Sequence, residues 1–179
     1  MIIYLDMDGV IADFFSAFAK LYEVDHWKSI DDKEKALLNL KNTNWFYNLP
    51  LFMDGKLSVS HQIVARVKNE AKRTGNDWGI CSSPIRDDNY NSAFWKRLWL
   101  IKHKISPKIE NMIFTSNKHK YAISPLDGRP NILIDDKISN IIAWENKGGI
   151  GIRFQTDQDD VQEYLFPALK EALDKINKL

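Results

Sequence analysis

Five short apolar runs punctuate the chain, at residues 2–5, 78–81, 112–115, 132–134 and 150–154. Runs of this length without polar alternation read as strands buried on both faces. Most of the intervening stretches carry apolar residues at helical spacing. Residues 10–22 place Phe14, Phe15, Phe18 and Leu21 on one stripe, and a helix is expected directly after Gly9. Residues 61–74 place Ile63, Val64, Val67 and Ala71 on another and stop at Gly75. Residues 91–103 show Phe94, Leu98 and Ile101 on one side; residues 139–147 close at Gly148-Gly149; residues 159–179 form a last helix with Pro167 as its irregularity. Strands alternating with helices require a parallel sheet with right-handed crossovers. In such a sheet the strand C-termini share one edge, so polar residues at those ends meet however far apart they are in sequence.

The first run ends in Asp6-Met7-Asp8-Gly9-Val10. Residues i and i+2 of an extended chain point to the same side, so both carboxylates are expected in one crevice. Like charges so close repel unless a proton or cation separates them. The expected helix after Gly9 would aim its N-terminal amides at the same place. Ser82-Ser83-Pro84 follows the second run, Thr115 to Lys118 the third, and Asp135-Asp136 the fourth. Taken singly, these are a turn, a loop, a solvated lysine and a helix cap. In this order, each at a strand end, packing does not account for them.

Asp6-Met7-Asp8-Gly9-Val10, Ser82, Lys118 and Ile132-Leu133-Ile134-Asp135-Asp136 resemble the four motifs of the haloacid dehalogenase (HAD) superfamily. More narrowly, Ile80-Cys81-Ser82-Ser83-Pro84-Ile85 and Lys118-His119-Lys120-Tyr121-Ala122 resemble the 5'(3')-deoxyribonucleotidase branch (5'-nucleotidase, C type). Members of that branch often carry Thr where Ser82 stands, and an Arg where Ser116 stands. The resemblance, over residues 2–154, implies an α/β fold: a HAD-like three-layer Rossmannoid with a central parallel sheet and a small helical cap after the first strand. It implies a catalytic core of residues 1–14 and 56–179 with a cap at 15–55. Asp6 is then the nucleophile and Asp8 the general acid/base of a phosphatase. Asp6, Asp8, Asp135 and Asp136 would be the Mg²⁺ ligands, hard oxygens suited to that ion. Ser82, Ser83 and a lysine would hold phosphoryl oxygens. Spacing from Thr115 favours Lys118, with Lys120 as the alternative.

Residues 23–55 are short polar and aromatic segments, with one helix from Asp31 to Leu40 and an end at Pro50. Large side chains such as Phe14, Phe15, Phe18, Trp45 and Phe46 suit the core of a small helical unit. The resemblance gives Phe18, Trp45 and Phe46 a second reading, stacking on a substrate base. The substrate expected is a phosphate ester, a (deoxy)nucleoside monophosphate. The alternatives are a phosphatase for another small ester such as a sugar phosphate, and a non-catalytic phospholigand-binding protein. With 25 Lys+Arg against 24 Asp+Glu, the net charge of +1 offers no footprint for stable nucleic-acid binding. One cysteine fits a reducing compartment and reads as an inert buried thiol. No apolar run suits a bilayer, so a cytoplasmic protein is expected, compatible with a homodimer.

Overall fold

The computed structural model describes residues 1–176. In chain order the elements are β1 (Ile2–Leu5), α1 (Phe14–Leu21), α2 (Lys33–Leu38), β2 (Met53–Asp54), β3 (Leu57–Ser58), α3 (Val59–Arg73), β4 (Asp77–Ser82), α4 (Asn89–Lys102), β5 (Met112–Phe114), β6 (Ile132–Asp135), α5 (Ile138–Glu145), β7 (Ile150–Arg153) and α6 (Phe166–Ile176). Five strands form one sheet in the order β5-β4-β1-β6-β7, and every neighbouring pair is parallel. Ile3 pairs with both Trp78 and Ile132, so β1 is the middle strand. The chain winds outward through β4 and β5, then returns across β1 to begin the other half at β6. The switch point therefore lies at the C-terminal ends of β1 and β6, where open α/β sheets bind ligands.

The strand period of two sorts the core onto two faces. Ile3, Leu5, Ile80, Ile132 and Ile134 pack with Val67 of α3 and Leu169 of α6. Tyr4, Cys81 and Leu133 face the other way, against Ile141 and Trp144 of α5. Layers of helix thus cover both faces of the sheet. No helix among the described residues is long and apolar enough to cross a membrane.

Three expectations are corrected. The helix expected from Val10 begins at Phe14, because the backbone turns back on itself first. Gly9 has φ +77°, the amides of Val10, Ile11 and Ala12 all point to the carbonyl of Met7, and Asp13 caps the helix by accepting from Ser16 N. Val10, Ile11 and Ala12 are apolar because this turn is buried, not because they are helical. On α4 the stripe of Phe94 and Ile101 faces solvent, and the buried face is Ser92, Ala93, Lys96, Trp99 and Leu100. The last helix opens at Val161 and begins with a π turn, Val161–Leu165, so its irregularity falls just ahead of Pro167. Residues 177–179 of that expectation lie outside the described residues.

Between α1 and α3 the chain makes short helical turns and the β2–β3 hairpin, whose turn needs Gly55 at φ +56°. Phe14, Phe18, Leu40, Phe46 and Leu49 join the same apolar cluster as Ile3 and Leu5. Polar ties hold this segment to α4: Trp99 Nε1 donates to Leu49 O at 2.8 Å, and Asn42 N to Asp88 Oδ1 at 3.2 Å.

Candidate active site

Asp6 continues the ladder of β1, its N–H donating to Ile134 O at 2.9 Å. Its carboxylate therefore projects at the switch point. Oδ1 accepts from Met7 N at 2.7 Å, and Oδ2 lies 2.9 Å from Lys118 Nζ. Lys118 sits on a 3-10 turn (Lys118–Tyr121) after β5, is buried, and also reaches Asp135 Oδ2 at 2.6 Å. Lys120 is exposed on the same turn, so of the two lysines the fold brings Lys118 to the carboxylates.

Asp135 is fully buried at the end of β6. Lys137 N and Asn140 Nδ2 donate to its Oδ1 at 2.9 and 3.0 Å, and Asn140 reaches Oδ2 at 3.1 Å. Its oxygens are thus committed to orienting Lys118 and the start of α5. Asp136 is half-buried and receives no hydrogen bond among the described residues. Gly9 lets it come close: a Cβ there would lie 3.2 Å from Asp136 Cγ and 2.7 Å from the Phe15 ring. One oxygen from each of Asp6, Asp135 and Asp136 falls within 4.8 Å of the others. Three hard oxygen donors at that spacing suit a small divalent cation. Asp6 and Asp136 retain the free lone pairs, and Asp135 supports them.

Asp8 lies outside this set of three. Its Oδ2 is held at 2.7 Å by Lys96 Nζ, and Oδ1 is buried with no hydrogen-bond partner among the described residues. Lys96, fully buried on α4, also donates to Ser82 Oγ at 2.8 Å. The Ser82 side chain is therefore at the crevice, whereas Ser83 donates its hydroxyl to Thr115 O at 3.3 Å.

These partners separate the acids. Burial pushes Asp6 up, but Lys118 and then Lys96 outweigh it and hold the carboxyl below its usual range. Burial also pushes Asp8 up; Lys96 opposes this, the Asp6 charge adds to it, and Asp8 stays above the usual range. Asp135 is likewise raised, by burial and then by Asp6, while burial, Asp6 and Asp135 together raise Asp136 to about 8. Cys81 lies under the site on the other face of β4, where burial pushes its thiol up to about 12, as an inert thiol requires.

The expected stacking residues pack mostly on one another. Phe18 is 1% exposed and Phe46 3%, each within 6.4 Å of Phe14. One face of Phe46 is taken by the Lys96 ammonium, 4.3 Å from the ring centre. As they stand, Phe18 and Phe46 present little ring surface to a base. Trp45 is only partly buried and its Nε1 has no partner among the described residues. A cavity of about 320 Å³ opens elsewhere, between Phe15, Lys20, His26, Trp27 and Asp157. Phe15 and Trp27 stack at 4.9 Å along its wall, and Trp27 Nε1 is another buried donor without a partner among the described residues. Since Phe15 also touches Gly9, this wall stands one ring away from Asp136.

Sequence reasoning missed Lys96, Asn140 and the Phe15–Trp27 wall. For Lys96 a signal existed: Ser92, Ala93, Lys96, Trp99 and Leu100 recur at helical spacing, with a cation at the centre of the stripe. The more apolar stripe of Phe94, Leu98 and Ile101 concealed it. No protein-family model matches the chain, and no curated protein is significantly similar to it.

Proposed function

We propose that this protein is a Mg²⁺-dependent phosphomonoesterase with a HAD-like core, residues 1–14 and 56–179, and a helical cap at 15–55. The observation that carries the reading is the division between two neighbouring carboxyls. Asp6 is kept ionised by Lys118 at the switch point, while Asp8 is driven toward its protonated form. Environments that push two carboxyls apart assign one as nucleophile and the other as acid. Asp6 attacks phosphorus and carries the phosphoryl group as an aspartyl-phosphate. Asp8 protonates the leaving oxygen, then takes a proton from the water that cleaves the intermediate. Ser82 and Lys118 face the equatorial oxygens, where transition-state charge collects. A Mg²⁺ ion held by Asp6 and Asp136, with Asp135 behind them, would screen the repulsion between carboxylate and phosphate.

The substrate class proposed is a nucleoside monophosphate, its base resting on Trp45 or on the Phe15–Trp27 wall. The burial of Phe18 and Phe46 favours a second reading, a smaller ester such as a sugar phosphate, which needs no stacking face. Release of phosphate from a panel of monoesters, with Mg²⁺ and with chelator, tests the activity. Trp45→Ala and Trp27→Ala test the substrate: the residue that stacks should lose roughly ten- to a hundredfold in kcat/KM on nucleotides and little on a small ester. A folded wild-type protein that releases no phosphate with Mg²⁺ would overturn the reading. An active one unaffected by either tryptophan would move the substrate to the smaller esters.

A further inference from the structure

Lys96 is fully buried beside the reaction centre, and the scheme above gives it no part. A buried ammonium is costly unless well paired, and an apolar side chain under Phe46 would avoid that cost. Its grip on Asp8 is one-sided. Nζ lies 2.7 Å from Oδ2, whereas Oδ1 is buried with no hydrogen-bond partner among the described residues. An orphaned buried acceptor calls for a reason, and at this place the reason is a substrate atom. The grip is also stiff. Lys96 shares its ammonium with Ser82 Oγ at 2.8 Å, the Phe46 ring lies 4.3 Å away, and α4 is tied on either side of it, by Trp99 Nε1 donating to Leu49 O and by Ser92 Oγ accepting from Ile85 N.

We infer that Lys96 is a positioning residue that anchors Asp8 through Oδ2, leaving Oδ1 as the oxygen that gives and later collects the proton. The inference rests on the phosphatase reading above. In the first half-reaction an Asp6 oxygen bonds to phosphorus as the bond from phosphorus to the ester oxygen breaks, and the proton on Asp8 Oδ1 goes to that departing oxygen. In the second a water oxygen bonds to phosphorus, one water proton passes to Oδ1, and the bond from phosphorus to Asp6 breaks, restoring the carboxylate. Lys96 takes no part in either proton transfer; without it the Asp8 carboxyl rotates away from the leaving group.

First-turnover release of the alcohol from an alkyl phosphate and from 4-nitrophenyl phosphate separates the possibilities. Nitrophenolate departs without a proton, so a misplaced acid harms only the alkyl ester. Lys96→Met should slow the alkyl ester on the order of a hundredfold and the nitrophenyl ester less than about tenfold. Adding Lys96→Met to Asp8→Asn should cost no more than about threefold further, because the two act as a unit. If Lys96→Met does not fold, Lys96→Gln, which can still donate to Oδ2 without a charge, should retain more alkyl-ester activity than Lys96→Ala. Equal losses on both esters, independent effects of the two substitutions, Gln no better than Ala, or a large loss of inhibition by inorganic phosphate would overturn the inference. Wild-type protein inactive on both esters would instead overturn the phosphatase reading.

Discussion

Asp6 and Asp8 are two residues apart in one turn, yet each meets a different lysine: Lys118 outweighs burial at Asp6, whereas at Asp8 burial and the Asp6 charge outweigh Lys96. Lys118 is wedged between Asp6 and Asp135 at 2.9 and 2.6 Å, so its removal leaves two buried carboxylates uncompensated. Breaking a buried pair of this kind costs about 3–5 kcal/mol. Lys118→Met should lower stability by that order in urea titrations as well as abolish turnover. Lys120→Met, on the exposed side of the turn, should stay within about 0.5 kcal/mol of wild type. Equal effects would reverse the assignment of the two lysines. Cys81 gives a second check on the same interior: with its thiol pushed up to about 12, a thiol reagent at pH 8 should fail to label the native protein and label it fully once unfolded. Asp6, Asp8, Ser82, Lys118 and Asp135 were legible in the sequence because strand ends are easy to place. The Lys96 partner of Asp8 was not legible, since it comes from the middle of a helix 88 residues away.

Among the elements, the five strands of the central sheet were read within a residue or two, because short apolar runs between turn residues have few alternatives, whereas the two-residue strands β2 and β3 were not read at all. Two helices were misread for different reasons: apolar residues need not be helical to be buried, and on a helix they need not face the interior. Val10, Ile11 and Ala12 fill a buried turn, and Phe94 and Ile101 lie on the outer face of α4, 52% and 60% exposed. Phe94→Ser and Ile101→Ser should therefore change stability by no more than about 0.5 kcal/mol. Leu100→Ala, fully buried one residue away from Ile101, should cost about 2–5 kcal/mol. Chemical denaturation of the three variants checks the rotation of α4, and with it the direction in which Lys96 points. If Phe94→Ser proved as costly as Leu100→Ala, the face of α4 assigned to the interior would be wrong.

Across the whole molecule, the sheet gathers Asp6, Asp135 and Asp136 at one edge, and that concentration of charge has a pH signature. Without a cation, Asp136 is raised to about 8 in the folded chain from an ordinary 3.8. The folded state then binds a proton that the unfolded chain has released, so metal-free stability should fall as pH rises from about 4 to about 8. Mg²⁺ must displace that proton, and its stabilising effect should be larger at pH 8 than at pH 6. At a hundredfold excess over Kd the gain is about 2.7 kcal/mol, or a Tm rise of roughly 5–10 °C. Thermal melts at both pH values, with Mg²⁺ and with chelator, measure it; no shift at either pH would remove the ion from the site. The same strand order has a consequence for how the protein is made. β1 lies between β4 and β6, and Ile3 pairs with Ile132, so the strand leaves the ribosome 129 residues ahead of its second neighbour. At the usual pace of translation that interval lasts on the order of ten seconds. Through it the apolar edge of β1 facing β6 stays open, and Asp6 has yet to meet Lys118 or Asp135. Nascent chains of this protein thus carry an unpaired apolar strand edge through that interval, which a chaperone could protect.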